Sequence, residues 1–337
     1  MCVRFPNPNH FKVCIAGKNA IARNALKLLQ ARFKNDELCI IPNRDDVGMD
    51  TWQPSLLKYA REENISVCTL EQVQQIPNLL FLSLEFDRLL RTEQFASKTL
   101  YNIHFSALPK YKGVYTSITP LLNGERTSGV TLHCIDNGID TGDIIAQRIF
   151  DIGLQESARD LYFKYLAQGF VLFKENVDSL LTGDFQCSKQ DFRQSCYFSR
   201  TQIDVKNIHI NLKKTSFEIH NQLRAFIFRE YQLPSLKGVR VAKSTLSGEF
   251  IGANVFAEQE NEFILSGIDG FKIVAEKADI LAGGGGIILL YAKHFYFILF
   301  LIFCSTQKNF IHYFIYLYTY AQKQAYFIKR SLYDKYA

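Results

Sequence analysis

The chain is 337 residues long, 47% hydrophobic and 21% charged, with a formal net charge of +6; this is ordinary globular composition and enough chain for one large and one smaller domain. Six Lys or Arg against one Asp in residues 287 to 337 leave only +1 on residues 1 to 286. So neutral a body argues against an extended nucleic-acid surface.

In chain order, Phe11 to Ala16 reads as a first strand, the turn Gly17-Lys18-Asn19 follows, and a helix is expected from Ala20 to Phe33, the opening of a doubly wound sheet. The turn lacks GxGxxG, so a dinucleotide cofactor is not supported. Leu38 to Pro42 is a second strand that runs into a polar loop, Asn43 to Ser55, carrying the one Trp of the chain. The loop leaves the carboxyl end of a strand, where open α/β sheets bind ligands, although a solvated loop fits equally. Ser55 is placed to cap a helix reaching Asn64, and strands follow at Ser66 to Leu70 and Asn78 to Leu84, the latter entering the loop Glu85 to Leu90.

Thr99 to Ile103 is a further strand, and Asn102 and His104, two apart, leave its end on the same face. Lys110 to Tyr115 forms a basic, aromatic loop suited either to a diphosphate or to solvent. A helix over Thr116 to Asn123, strands over Gly129 to Ile135 and Asp143 to Asp151, and a long amphipathic helix over Ser157 to Leu181 come next. Asp140 falls in the Gly-rich turn between the two strands. Gly183-Asp184 marks a domain boundary, after which residues 190 to 282 hold short strands, including Gly238 to Val241 and Glu249 to Val255, around a helix over Thr215 to Phe228.

Asn102, His104 and Asp140 supply a donating amide, an imidazole and a carboxylate. These are the groups needed to take a proton from an amine and to hold an oxyanion. Around them stand Ser106-x-Leu108-Pro109, Gly113, Gly129-Val130-Thr131-Leu132-His133 and Asp136-x-Gly138-x-Asp140-Thr141-Gly142, all in order. The whole resembles the signature of the N10-formyltetrahydrofolate-dependent formyltransferases. The Asn/Asp/Trp-Gln-Pro-Ser loop and the segment Asn221 to Pro234 resemble the members that act on nucleotide-linked amino sugars.

The resemblance implies an α/β fold: a Rossmann-like formyltransferase domain over 1–184 and a smaller β-rich C-terminal domain over 190–282. It makes Asn102, His104 and Asp140 catalytic, with Asn102 and a protonated His104 donating to the oxyanion and Asp140 orienting the imidazole or taking the amine proton through water. His133 would stand in the strand core or directly behind the catalytic residues. Phe86, Arg88, Leu89, Leu90, Asp136 and Ile139 would line the site of N10-formyltetrahydrofolate, the co-substrate, and no metal is required. Asn43, Asp50, Trp52, Lys112, Arg224 and Tyr231 would contact the nucleotide sugar, with Arg224 on phosphate and Tyr231 stacked on the base.

The implied reaction formylates a dTDP-linked 3-amino-3,6-dideoxyhexose for surface polysaccharide. The alternatives are a 4-amino sugar, methionyl-tRNA, hydrolysis of the formyl folate, or an inactive sugar-nucleotide-binding protein. A homodimer is the family's expected assembly, without nucleic acid. Eight cysteines without a CxxC pair, and Met1 to Pro6 without an apolar core, fit free thiols and no secretory signal, hence a cytoplasmic protein.

After Gly283-Gly284-Gly285-Gly286 the composition changes to 16 aromatics and a single acid in 51 residues. The apolar run Phe295 to Cys304 is shorter than the roughly 20 residues of a membrane span, though an interfacial segment remains open. Four glycines encoded by guanine-rich codons, followed by Phe, Tyr, Ile and Lys, favour an out-of-frame continuation over 283–337.

Overall fold

Five consecutive buried residues, Val13–Gly17, make strand β1, and the turn after it enters helix α1 (Asn19–Leu29), which buries Ile21, Ala22, Ala25, Leu26 and Leu29 along one stripe. The coordinates are a computed structural model and describe residues 11–278; the tail expectation for 283–337 lies outside the described residues. Strand β2 (Leu38–Pro42) falls where the sequence places it. Helix α2 (Leu56–Glu62) starts at Ser55, whose hydroxyl accepts from Lys58 N. The expected strand over Ser66 to Leu70 shrinks to β3 (Ser66–Val67), because Thr69 and Gln72 form a reciprocal capping box that starts helix α3 (Leu70–Gln74).

Strands β4 (Leu80–Leu84) and β5 (Leu100–His104) follow, then the short β6 (Lys112–Gly113), helix α4 (Thr119–Leu122), and the long strands β7 (Thr127–Cys134) and β8 (Ile144–Asp151). Helix α5 (Ala158–Thr182) begins in a capping box between Ser157 and Asp160 and ends at Gly183, which is left-handed at φ 75°. The sheet runs β3-β2-β1-β4-β5-β7-β8, parallel through β5 and antiparallel beyond it. Strand order reverses at β1, which lies between β2 and β4, and the crevice outside such a switch point is where a doubly wound sheet takes its ligand. There the backbones close tightly: a Cβ on Gly17 would stand 1.8 Å from Leu84 O.

Strand β9 (Tyr197–Phe198) pairs with β6, and helix α6 (Ser216–Phe226) is capped by Thr215 and Glu218. Strands β10 (Ser235–Leu236), β11 (Val239–Phe250), β12 (Phe256–Glu258), β13 (Glu262–Ser266) and β14 (Phe271–Lys277) form an antiparallel sheet ordered β10-β11-β14-β13-β12. The expected strand over Glu249 to Val255 is corrected: β11 absorbs its first two residues, and the chain then turns at Gly252 and Asn254, both at positive φ. One continuous apolar core joins β7, α5, α6 and the second sheet. No helix among the described residues is long and apolar enough to cross a membrane.

Candidate active site

The carboxyl ends of β1, β2, β4 and β5 open into one cavity of about 680 Å³, walled by Lys18, Asn43, Glu85 and His104 from those ends, by residues 86 to 91, and by residues 135 to 140. Asn102 and His104 of β5 both face it, two apart as the strand period requires. His104 is 7% exposed, and its Nε2 lies 2.8 Å from the Tyr111 carbonyl oxygen. A carbonyl only accepts, so Nε2 carries a proton and the lone pair of the neutral ring is on Nδ1. Nδ1 stands 3.5 Å from Asp140 Oδ2.

Asp140 is held by its backbone and by its neighbours. It sits at φ 55°, its Oδ2 accepts from Gly113 N at 2.8 Å, and Gln190 Nε2 donates to its carbonyl oxygen at 2.9 Å and to that of Gly142 at 2.8 Å. Gly113, at φ 88°, cannot take a side chain, because a Cβ would come within 2.3 Å of Phe198 O. Asp136 accepts from Gly138 N at 3.1 Å and from Thr141 Oγ1 at 2.6 Å, and Asn137 Oδ1 accepts from Thr92 N and Oγ1. The 136–141 loop is thereby closed on itself and tied to the 86–92 loop across the cavity.

His133 is more than strand core. Its Nδ1 donates to Cys134 O at 2.7 Å, which leaves Nε2 to accept from Asn102 Nδ2 at 3.0 Å. Burial, ahead of the opposing charge of Asp140, lowers its pKa below the usual histidine range, as a neutral acceptor requires. The bond fixes the Asn102 amide and leaves its second N–H for the cavity. The 3.8 Å between His133 Nε2 and Asp140 Oδ1 is too long for a hydrogen bond.

Residues 68–176 match the family model described as Formyl transferase. The chain is 55% identical to WlaRD, a sugar 3N-formyl transferase solved in the presence of dTDP and 5-N-formyl-THF, covering 80% of this chain and 98% of that one at a TM-score of 0.79. It is 56% identical to the N-formyltransferase from Helicobacter canadensis, solved with folinic acid and dTDP-3-aminofucose, covering 80% and 100% at a TM-score of 0.78. The chain belongs to the sugar N-formyltransferases. To the methionyl-tRNA formyltransferase of Fervidobacterium nodosum it is 32% identical over 182 residues, so it spans about half of that relative, 54% of its length.

In this sugar N-formyltransferase the six expected folate contacts, Phe86, Arg88, Leu89, Leu90, Asp136 and Ile139, all line the cavity. The expected nucleotide-sugar contacts divide. Asn43 lines the cavity, but its side chain joins loops, donating to Glu85 O at 2.8 Å and accepting from Asp87 N at 3.2 Å. Tyr231 is 60% exposed and meets Trp52 edge to face, ring centroids 5.5 Å apart. Trp52 also packs against Tyr162, Phe163 and Phe228, so its place is structural support for the exposed Tyr231 ring.

Three expected contacts are corrected. Asp50 accepts from Ser55 N and pairs with Lys58, fastening the start of α2 outside the cavity wall. Lys112 is buried where β6 pairs with β9, away from the cavity. Arg224 is 2% exposed, and its Nε and Nη1 donate to Asn221 Oδ1, Gly153 O and Glu156 O at 2.8 to 3.0 Å, so most of its donors hold the protein's own backbone and Asn221. Desolvation lowers its pKa to about 10. Because His104 Nε2 is held by Tyr111, the expected donation from a protonated His104 to an oxyanion falls to Nδ1.

Sequence reasoning named the Gly17-Lys18-Asn19 turn and the Glu85 to Leu90 loop without giving Lys18 or Glu85 a role, and it did not find that His133 fixes Asn102. Lys18 and Glu85 follow directly on strands of the parallel sheet, so the rule that ligands lie past strand carboxyl ends was the signal available for them.

Proposed function

We propose that this enzyme transfers the formyl group of N10-formyltetrahydrofolate to the amine of a dTDP-linked 3-amino-3,6-dideoxyhexose, a step in making surface polysaccharide. The reading is carried by two relatives matched over 98% and 100% of their lengths at 55% and 56% identity, one solved with dTDP and 5-N-formyl-THF and one with folinic acid and dTDP-3-aminofucose. The methionyl-tRNA formyltransferases match more weakly and over part of their length. Within the cavity the apolar side chains of Phe86, Leu89, Leu90 and Ile139 suit a flat heteroaromatic ring. Asp87 Oδ1 and Arg88 Nε, paired with each other at 3.8 Å and without a hydrogen-bond partner, stand on the cavity wall for its polar edge.

The bound folate supplies the formyl group. The protein's own contributions are proton transfer and charge stabilisation. His104 accepts the amine proton on Nδ1 as the amine nitrogen bonds to the formyl carbon, and the imidazolium so formed, which faces the Asp140 carboxylate while Tyr111 O holds the opposite edge of the ring, gives that proton to the folate nitrogen as its bond to the formyl carbon breaks. Asn102, fixed by His133, directs its free N–H at the oxygen on which negative charge develops. Gly113 N and Gln190 keep Asp140 in its left-handed conformation.

The test offers purified enzyme and the formyl folate three acceptors: the dTDP-linked 3-amino sugar, its 4-amino isomer and methionyl-tRNA. Mass-spectrometric detection of N-formyl product from the 3-amino sugar is expected, and preference for either other acceptor overturns the reading.

A further inference from the structure

The cavity wall carries a carboxylate that formyl transfer as derived above does not use. Glu85 is the first residue past β4, and because Leu84 pairs with Ile103, Glu85 and His104 leave adjacent parallel strands at the same level. Such strands run roughly 4.8 Å apart. Glu85 sits at φ 58°, a left-handed conformation that a Glu adopts only where its surroundings impose it.

Its neighbours orient the carboxyl group and form no ion pair with it. Tyr162 OH donates to both oxygens, at 2.8 and 3.0 Å, and Asn19 Nδ2 donates to Oε2 at 3.2 Å. The nearby cation, Lys18, bonds instead to Asp45 Oδ2 at 3.0 Å. A carboxylate offers about four acceptor sites, so at least one remains for the cavity that Glu85 lines. An oriented, desolvated carboxylate without its own cation, level with the proton-accepting imidazole, is complementary to an alkyl ammonium, which carries a positive charge and only donors.

We propose that Glu85 receives the amino group of the sugar, accepting a hydrogen bond from its nitrogen and so selecting amino over hydroxyl at the reacting carbon. The inference rests on the proposed function and adds the residue that recognises the acceptor atom. Glu85 holds the nitrogen in place while His104 Nδ1 takes the proton that leaves it.

Calorimetric titration of the full chain compares two ligands, the dTDP-linked 3-amino-3,6-dideoxyhexose and the counterpart with a 3-hydroxyl. Wild type is expected to favour the amino sugar roughly 10- to 100-fold, the range for a hydrogen bond to a charged group. Glu85→Gln is expected to lose that preference by weakening the amino sugar alone, with the KM for the folate unchanged. Glu85→Asp, which keeps the charge on a shorter arm, provides the same readout if the Gln protein does not fold. Retention of the full preference by both variants overturns the assignment, as does equal weakening of both ligands. Failure of wild type to bind the amino sugar would overturn the substrate reading first, whereas binding of both sugars with equal affinity would overturn the role of Glu85 alone.

Discussion

Replacing Glu85 by Gln should make the ligand-free enzyme more stable at alkaline pH than at acid pH, relative to wild type. Burial pushes the Glu85 carboxyl up to about 7 from 4.5, against the opposing pull of Tyr162, Lys18 and Asn19, with Asp45 adding to the rise. A carboxyl whose folded pKa is raised binds its proton more tightly when folded. Its stabilising contribution is complete below the unfolded value and is lost as pH rises through the folded value. A tenfold difference in proton affinity between the folded and unfolded chain is worth about 1.36 kcal/mol. The wild-type chain therefore loses on the order of 2–3 kcal/mol between pH 5 and pH 8 that Gln, which does not titrate, keeps. Lys18, Asp45, Tyr162 and Tyr231 also face Glu85, and unperturbed side chains of these types do not change charge in that window; His104, on the adjacent strand in the same cavity wall, is present in both proteins. Urea unfolding of both proteins at pH 5 and pH 8 measures the difference directly. A difference that stays constant with pH, or that moves against Gln as pH rises, refutes the reasoning.

Turnover should fall roughly 100- to 10,000-fold in His104→Asn and roughly 100- to 1,000-fold in Asn102→Ala, with far-ultraviolet circular dichroism unchanged. Steady-state rates with both substrates saturating check this. Arg224→Ala leaves buried Asn221 and two part-buried carbonyls without their donor, so it should lower unfolding free energy on the order of 1–3 kcal/mol without a selective rise in KM for the nucleotide sugar. Denaturant titration together with both KM values tests it. Tyr231→Ala removes the exposed ring and should raise KM for the nucleotide sugar but not for the folate; equal changes would mark the ring as packing. Deleting residues 283–337 should leave kcat unchanged if they are an out-of-frame continuation, and steady-state rates of the shortened chain measure it.

By itself the sequence determined whatever depends on local spacing. Buried runs such as Leu38–Pro42 and Leu80–Leu84 could only be interior strands of a parallel sheet. Ser55 announced its helix through a hydroxyl that caps a nearby N–H group. The Asn-x-His pair declared a shared face because strand side chains alternate. Tertiary structure decided what each polar group does, since that depends on partners distant in the chain. Arg224 has the composition of a phosphate ligand, yet carbonyls 68 and 71 positions away engage its Nη1. His133 resembles a core residue until the register of β5 on β7 sets it opposite Asn102. Glu85 reads as the first residue of a loop, and only the strand order that brings β4 between β1 and β5, with Tyr162 of α5 beneath it, makes it an oriented carboxylate in the cavity wall.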